Sequence, residues 1–175
     1  MKKIGIISIL LFFMFSSCYS QETDNNNRFY VQIEDFRFYP RFSHRDDVEA
    51  FLGAPSSVRL DEGMYDGFHW SNITIALYWD DALIFTYNDE GNIIQITVSA
   101  DYSGNVFIFG RQLRELNHTA VTYLLEQPDI RIILTREDVI ATVKPDFEGD
   151  YKWIMFFFDD KSNITTFITY YENPW

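Results

Sequence analysis

Two stretches of this chain echo each other, and that self-similarity restricts its possible folds more than any other feature. "FRFYPRFSHRDDVEAFLGAP" begins at Phe36 and "FIFGRQLRELNHTAVTYLLEQP" begins at Phe107. Both open with F-x-F and close with V-x-x-x-L-x-x-P, which sets Val48, Leu52 and Pro55 against Val121, Leu125 and Pro128. Farther on, "IFTYNDEGNIIQIT" matches "MFFFDDKSNITTFI", so that Phe85, Asp89, Asn92 and Ile93 answer to Phe156, Asp160, Asn163 and Ile164. The offset is 71 at the outer parts and 73 at the helix. A chain with the same order of signals twice is expected to fold as two like units, residues 29–104 and 105–175.

Each unit reads alike. F-x-F starts a strand. Ser43 and Asn117 are expected N-caps, because their side-chain oxygens can accept an orphan backbone N–H. Asp46, three residues after Ser43, approximates a capping box. Val48, Phe51 and Leu52 recur at helical spacing, as do Val121, Leu124 and Leu125. The helices end at Gly53-Ala54-Pro55 and before Pro128. Alternating strands follow. Ile73, Ile75, Leu77 and Trp79 form one run, and Leu83, Phe85 and Tyr87 the next; "NDEGN" turns the chain into "IIQITVS". In the second unit "RIIL", "DVIATV", "KWIMFFF" and "ITTFITYY" are strands, with "DDKSN" as a turn. The expected fold class is α+β: two tandem helix-plus-antiparallel-β-meander repeats sharing a sheet.

The only cysteine, Cys18, lies ahead of both units. Met1-Lys2-Lys3 is a positive start, Ile4 to Phe15 is almost unbroken apolar sequence, and Ser16-Ser17-Cys18 follow. That order is a secretory signal peptide, too short for the ~20 apolar residues of a membrane span. "FSSC" resembles the lipobox of bacterial lipoproteins. On that reading residues 1–17 are removed and Cys18 becomes the lipid-attachment site. The alternative is cleavage after Ser20, which discards Cys18. Residues 18–28, polar and rich in asparagine, are an expected disordered tether. With no second cysteine there is no disulfide framework, so the core must hold the fold. Either route makes the protein extracytoplasmic: bacterial and membrane-anchored by lipid, or else periplasmic or secreted.

Charge narrows the partners. The chain carries a net −12, and loss of Lys2 and Lys3, two positive charges, makes it −14. Such acidity repels phosphate backbones and anionic lipid, so nucleic acid is excluded as an expected partner and membrane contact is left to Cys18. Aromatic residues make up 18%, which favours strands and large core side chains.

A helix ending in L-G-x-P, followed by a β-meander with a tryptophan and a late turn, resembles the small envelope-lipoprotein domain of the SmpA/OmlA type. The residues are Val48, Leu52, Gly53, Pro55, Trp70, Tyr78 and the hairpin from Asp89 to Asn92. A tandem copy of such a unit resembles the β-lactamase inhibitor protein architecture. The second copy keeps Val121, Leu125 and Pro128 but has Glu126 where Gly53 stands. The resemblance spans residues 36–170 and implies binding or scaffolding in the envelope, without assigning any contact residue.

No hydrolase elbow, zinc-binding helix, phosphate loop or paired C-x-x-C occurs. His44, His69 and His118 are scattered; His44 and His118 fall near the two helix starts, which would let them share a site. Asp80-Asp81, Asp89-Glu90 and Asp159-Asp160 are carboxylate pairs between strands, suited to turns, to calcium or to acid–base work. Asn72, Asn117 and Asn163 each head an N-x-T triplet, a glycosylation signal only in a eukaryotic secreted protein. Phe156-Phe157-Phe158 and Tyr170-Tyr171 put aromatics on both faces of late strands, either as core plus a binding face or as a sheet covered on both sides. The expectation is a non-catalytic binding or scaffold module of the cell envelope, without cofactor or metal, whose partner is an envelope or extracellular protein. A secreted inhibitor or immunity-type protein is one alternative, and a hydrolase using Asp80 with Asp159 is another.

Overall fold

The computed structural model describes residues 29–64, 70–78, 82–126, 130–145 and 151–172. Cys18 with the signal and tether, His69, Trp79, Asp80, Asp81 and Pro128 lie outside the described residues. Twelve strands build two antiparallel sheets. The short strands β1 (Val31–Ile33), β2 (Phe36–Phe38), β7 (Val106–Ile108) and β8 (Arg111–Gln112) form a four-stranded sheet in the order β2-β1-β7-β8. The eight-stranded sheet runs β3-β4-β5-β6-β12-β11-β10-β9. Its members are β3 (Ser57–Met64), β4 (Trp70–Tyr78), β5 (Leu83–Tyr87), β6 (Ile93–Ser99), β9 (Arg131–Thr135), β10 (Val139–Pro145), β11 (Tyr151–Phe158) and β12 (Ile164–Glu172). Among the described residues, two eight-residue helices, α1 (Arg45–Leu52) and α2 (His118–Leu125), and a 3₁₀ turn at Leu113–Glu115 complete the fold.

The α+β expectation is thereby corrected. Strands make up 53% of the structure, the described residues hold only two short helices, and the fold is mostly β rather than a helix-plus-meander repeat. The reason is physical. Each helix is stopped after two turns, α1 by Gly53 at φ +81° with Pro55 following, and each seats only a narrow stripe. α1 fully buries Val48 alone, and α2 buries Val121 and Leu125. β2 and β7 fall on the two F-x-F strand starts, while β1, β3 and β8 add strands that the sequence pattern does not predict.

One face of the large sheet carries the core. Phe85, Ile96, Ile154, Phe156 and Phe167 meet Val31, Ile33, Phe38 and Ile108 of the small sheet and Val48 and Val121 of the helices, all nearly or completely buried. Phe38 packs edge-on against Phe85 at 5.2 Å, and Phe51 of α1 stacks on Phe36 at 5.1 Å. Such aromatic pairs each add roughly 0.5–1.5 kcal/mol beyond area burial.

Local geometry recurs along the two registers. β6 and β12 pair antiparallel around Thr97 and Ile168, residues 71 apart in sequence, so the Val98–Phe167 pair on one side answers the Ile96–Thr169 pair on the other. Bulges sit at Thr86/Tyr87 and at Phe157/Phe158, again 71 apart. In the small sheet the F-x-F alignment does not hold. Gln32 faces Phe107, with Val31 opposite Ile108 and Ile33 opposite Val106, so V-x-I answers V-x-I.

The N-cap of α1 is also corrected, from Ser43 to His44. His44 Nδ1 accepts from the Asp46 N–H at 3.2 Å, and the His44 N–H donates to Asp47 Oδ2 at 2.8 Å. Ser43 is buried, and its hydroxyl accepts from the Tyr39 N–H at 2.9 Å. α2 has Asn117 as its cap, as the sequence suggests, with Oδ1 accepting from the Ala120 N–H at 2.9 Å.

Candidate binding face

The second face of the large sheet is built from residues that the core leaves out. Because side chains directly opposite one another in a ladder point to the same side, the registers give its rows. One row crosses all eight strands: Ser57, Leu77, Ile84, Thr97, Ile168, Met155, Ala141 and Leu134. The next row reads Arg59, Ile75, Thr86, Gln95, Tyr170, Trp153, Val143 and Arg131. A shorter one holds Ser99, Thr166, Phe157 and Val139.

Ile75, Ile84, Ile168, Met155, Phe157, Trp153 and Tyr170 are all half-buried and stand outside the core cluster. Trp153 and Tyr170 stack face to face, centroids 5.8 Å apart and planes within 3°. Gln95 Nε2 donates to Thr97 Oγ1 at 3.0 Å, which gives the middle of the floor a polar strip. Among the described side chains of these rows the only charges are Arg59 and Arg131, one on each edge strand. Both are exposed, and neither has an ion-pair partner among the described residues. An uncharged aromatic and aliphatic floor with a cation at each end is the composition of an interaction surface rather than of a solvated face.

The groups singled out for chemistry are occupied elsewhere. His44 Nε2 donates to the Glu90 carbonyl at 3.0 Å, since Nδ1 already accepts from the Asp46 N–H. His118 Nε2 lies 2.9 Å from the Arg136 carbonyl, with its ring 5.0 Å from Phe158. Each histidine thus fastens its own helix start to its own turn, and the structure does not engage them as a pair.

Turns take up two of the carboxylates, Asp159 and Glu90. Asp159 Oδ1 accepts from the Lys161 and Asn163 N–H groups at 2.9 and 2.8 Å, and Oδ2 accepts from Asn163 Nδ2 at 3.1 Å. These bonds, those from Asn163 first, hold its carboxyl below the ordinary 3.8. In the matching turn Asn88 Oδ1 accepts from the Asn92 N–H at 2.8 Å, and Glu90 Oε2 accepts from Asn92 Nδ2 at 3.1 Å. Asp159 is thus engaged, and its proposed hydrolytic partner Asp80 is outside the described residues. Among the described residues no group of three or more His, Cys, Asp or Glu could hold a metal ion. Of the N-x-T asparagines, Asn72 lies in β4, Asn117 caps α2 and Asn163 closes a turn.

A cavity of about 240 Å³ opens between β6, β7 and the 3₁₀ turn, lined by Val98, Tyr102, Val106, Leu113, Arg114 and Ile164 among others. It is smaller than the roughly 300–1,000 Å³ of ordinary small-molecule sites. The Arg114 guanidinium donates to the Tyr102 carbonyl at its rim.

The rows of this face were not visible in the sequence, because each draws single residues from four to eight strands. Alternation of Trp153, Met155 and Phe157 along β11 was the available signal. No protein-family model, curated protein or solved structure matches this chain.

Proposed function

We propose that this chain is a non-catalytic binding or scaffold module of the cell envelope, held at a membrane by lipid on Cys18, and that the open face of the large sheet receives an envelope or extracellular protein. The observation that carries the reading is the row from Arg59 to Arg131, uncharged between its ends and centred on the Trp153–Tyr170 stack. Half-buried tryptophan, tyrosine, methionine and phenylalanine are the residue types that anchor protein interfaces. The partner should present an apolar patch with carboxylates placed to meet Arg59 and Arg131. The resemblance to the SmpA/OmlA-type domain supports the same class of role. No helix among the described residues is long and apolar enough to cross a membrane.

Two measurements test this. Cys18→Ser should move the protein from the membrane to the soluble fraction or block its processing; a mature chain beginning at Gln21 would remove the anchor. Photo-crosslinkers placed at Thr97 or Met155 in native membranes should capture one discrete protein, whereas crosslinkers at exposed Asp138 should not. Equal capture from both positions would remove the open face as the binding surface.

A further inference from the structure

We propose that the outer edge of β3 takes an added strand from another protein, one with an aliphatic–acidic–aliphatic sequence at its centre. Among the described residues β3 is the terminal strand of the large sheet and pairs only with β4, through eight consecutive residues from Ser57 to Met64 without a bulge. Its outer backbone edge is a row of donors and acceptors suited to one kind of occupant, another strand.

The side chains on that edge define the occupant further. Val58 is 54% exposed and Leu60 is 82% exposed, with Arg59 between them on the opposite face. Directly opposed cross-strand residues interact, so a strand laid beside this segment gains from aliphatic residues opposite Val58 and Leu60 and a carboxylate opposite Arg59. Arg59 has no ion-pair partner among the described residues.

The other terminal strand gives the contrast. β9 has five residues, its register to β10 shifts at Ala141/Thr142, and Ile133 drops out of the pairing. A short, bulged strand is how sheets guard an edge against addition. Ile133 is still 50% exposed, so apolar exposure is common to both edges and only β3 combines it with an uninterrupted ladder. A second copy of this chain is the disfavoured occupant, since a net charge of −12 on each copy opposes self-association. Arg59 serves both surfaces, but Val58, Leu60 and the β3 backbone edge take no part in the open face, so Leu60→Lys and protection in 57–64 read failure at this edge separately from failure on the open face.

The test uses the mature chain and an eight-residue peptide of alternating valine and threonine with one central threonine replaced by glutamate. The peptide should bind and slow amide exchange within residues 57–64. Leu60→Lys should weaken binding at least tenfold, while Ile133→Lys leaves it within twofold. Arg59→Glu should abolish binding of the glutamate peptide and confer binding of its lysine counterpart. A peptide N-methylated at every internal amide should not bind. The proposal is overturned by absence of protection in 57–64 at millimolar peptide, by binding of the N-methylated peptide, by equal losses from Leu60→Lys and Ile133→Lys, or by a charge swap that leaves peptide preference unchanged. A dimer of the chain itself that Leu60→Lys dissociates would also overturn it, by putting a second copy on this edge.

Discussion

Gly91 and Ser162 hold the same place in two turns of matching geometry, both in the left-handed region, at φ +85° and +64°. The Gly91 carbonyl accepts from the Arg45 N–H at 2.8 Å and the Ser162 carbonyl accepts from the His118 N–H at 3.2 Å, so each turn receives the first residue of a helix. The two sites differ in what a β-carbon meets. At Gly91 it would run into the His44 imidazole. Gly91→Ala should therefore cost about 2 kcal/mol, the sum of left-handed strain and a displaced cap residue. Ser162→Gly relieves strain at some cost in chain entropy and should be neutral to about 0.5 kcal/mol stabilising. Urea unfolding of both variants checks the contrast.

The helix caps should rank by chemistry rather than by residue name. His44→Ala removes the acceptor for the Asp46 N–H and should cost about 1 kcal/mol, while His44→Asn should restore most of it. Asn117→Ala should cost a similar ~1 kcal/mol, because Asn117 Oδ1 is the acceptor for the Ala120 N–H. Thermal unfolding of the three variants decides whether His44 acts as a cap. A fully stable His44→Ala would show that it does not.

Acid should remove the stabilisation of two carboxylate links. Glu34 accepts from the Asn105 N–H and Nδ2 at 2.8 and 3.0 Å, and these bonds hold its carboxyl below the ordinary 4.5. Asp159 is lowered in the same way by Asn163. A folded-state pKa below the unfolded one means the unfolded chain takes up protons first. The stabilisation is complete above the ordinary carboxylate range and is lost as pH falls through the lowered folded values. Asp159→Asn, which keeps an acceptor oxygen for the turn, should flatten part of the acid limb of stability against pH. An unchanged acid limb in both Asp159→Asn and Glu34→Gln would assign acid sensitivity to other carboxylates.

Alkali should act through the core beneath α1. Burial, with Glu49 nearby, pushes the Tyr78 hydroxyl up to about 12. Burial, with Tyr78 and Glu49, pushes Tyr87 higher still. A raised folded pKa gives stability that is present below the ordinary 10.0 and is lost as pH climbs toward the folded value. Tyrosinate absorbance from this pair should appear only together with unfolding. Tyr87→Phe should shift the alkaline unfolding midpoint upward; a smooth titration before unfolding would contradict the burial.

What the sequence disclosed follows from how many residues carry each signal. β6 was legible from "IIQITVS" because six residues, Ile94 to Ser99, alternate, and Val48 and Val121 were legible as core because the helical period repeats. β3 was not, since its alternation stops at Val58 and Leu60, Glu62 and Gly63 break the run, and pairing with β4 carries the strand on to Met64. The small sheet has strands of two or three residues, too short for periodicity, and only the F-x-F pairs at Phe36 and Phe107 marked two of them. The cap slipped by one residue because the Ser43 hydroxyl bonds backward to Tyr39, leaving the His44 ring to serve the helix. The open face was half legible. The aromatics of β11 were visible, but which of them sit beside Thr97 or Tyr170 is decided by register, and register is set by turns and bulges far from the face.

The Trp153–Tyr170 stack separates stability from binding. Both side chains are half-buried on the open face, opposite one another across β11 and β12, and neither belongs to the core cluster. Trp153→Ala removes a cross-strand aromatic contact from the floor and should cost about 1–2 kcal/mol of stability, well under the roughly 3–5 kcal/mol expected for Phe156→Ala in the core. Trp153→Phe, which keeps an aromatic ring in the stack, should lose less than half of that. If the open face is where a partner docks, Trp153→Ala should reduce crosslinking from Thr97 in membranes far more than a stability-matched core variant such as Ile154→Val. Equal crosslinking in the two variants would show that Trp153 only packs the sheet, whatever its cost in unfolding.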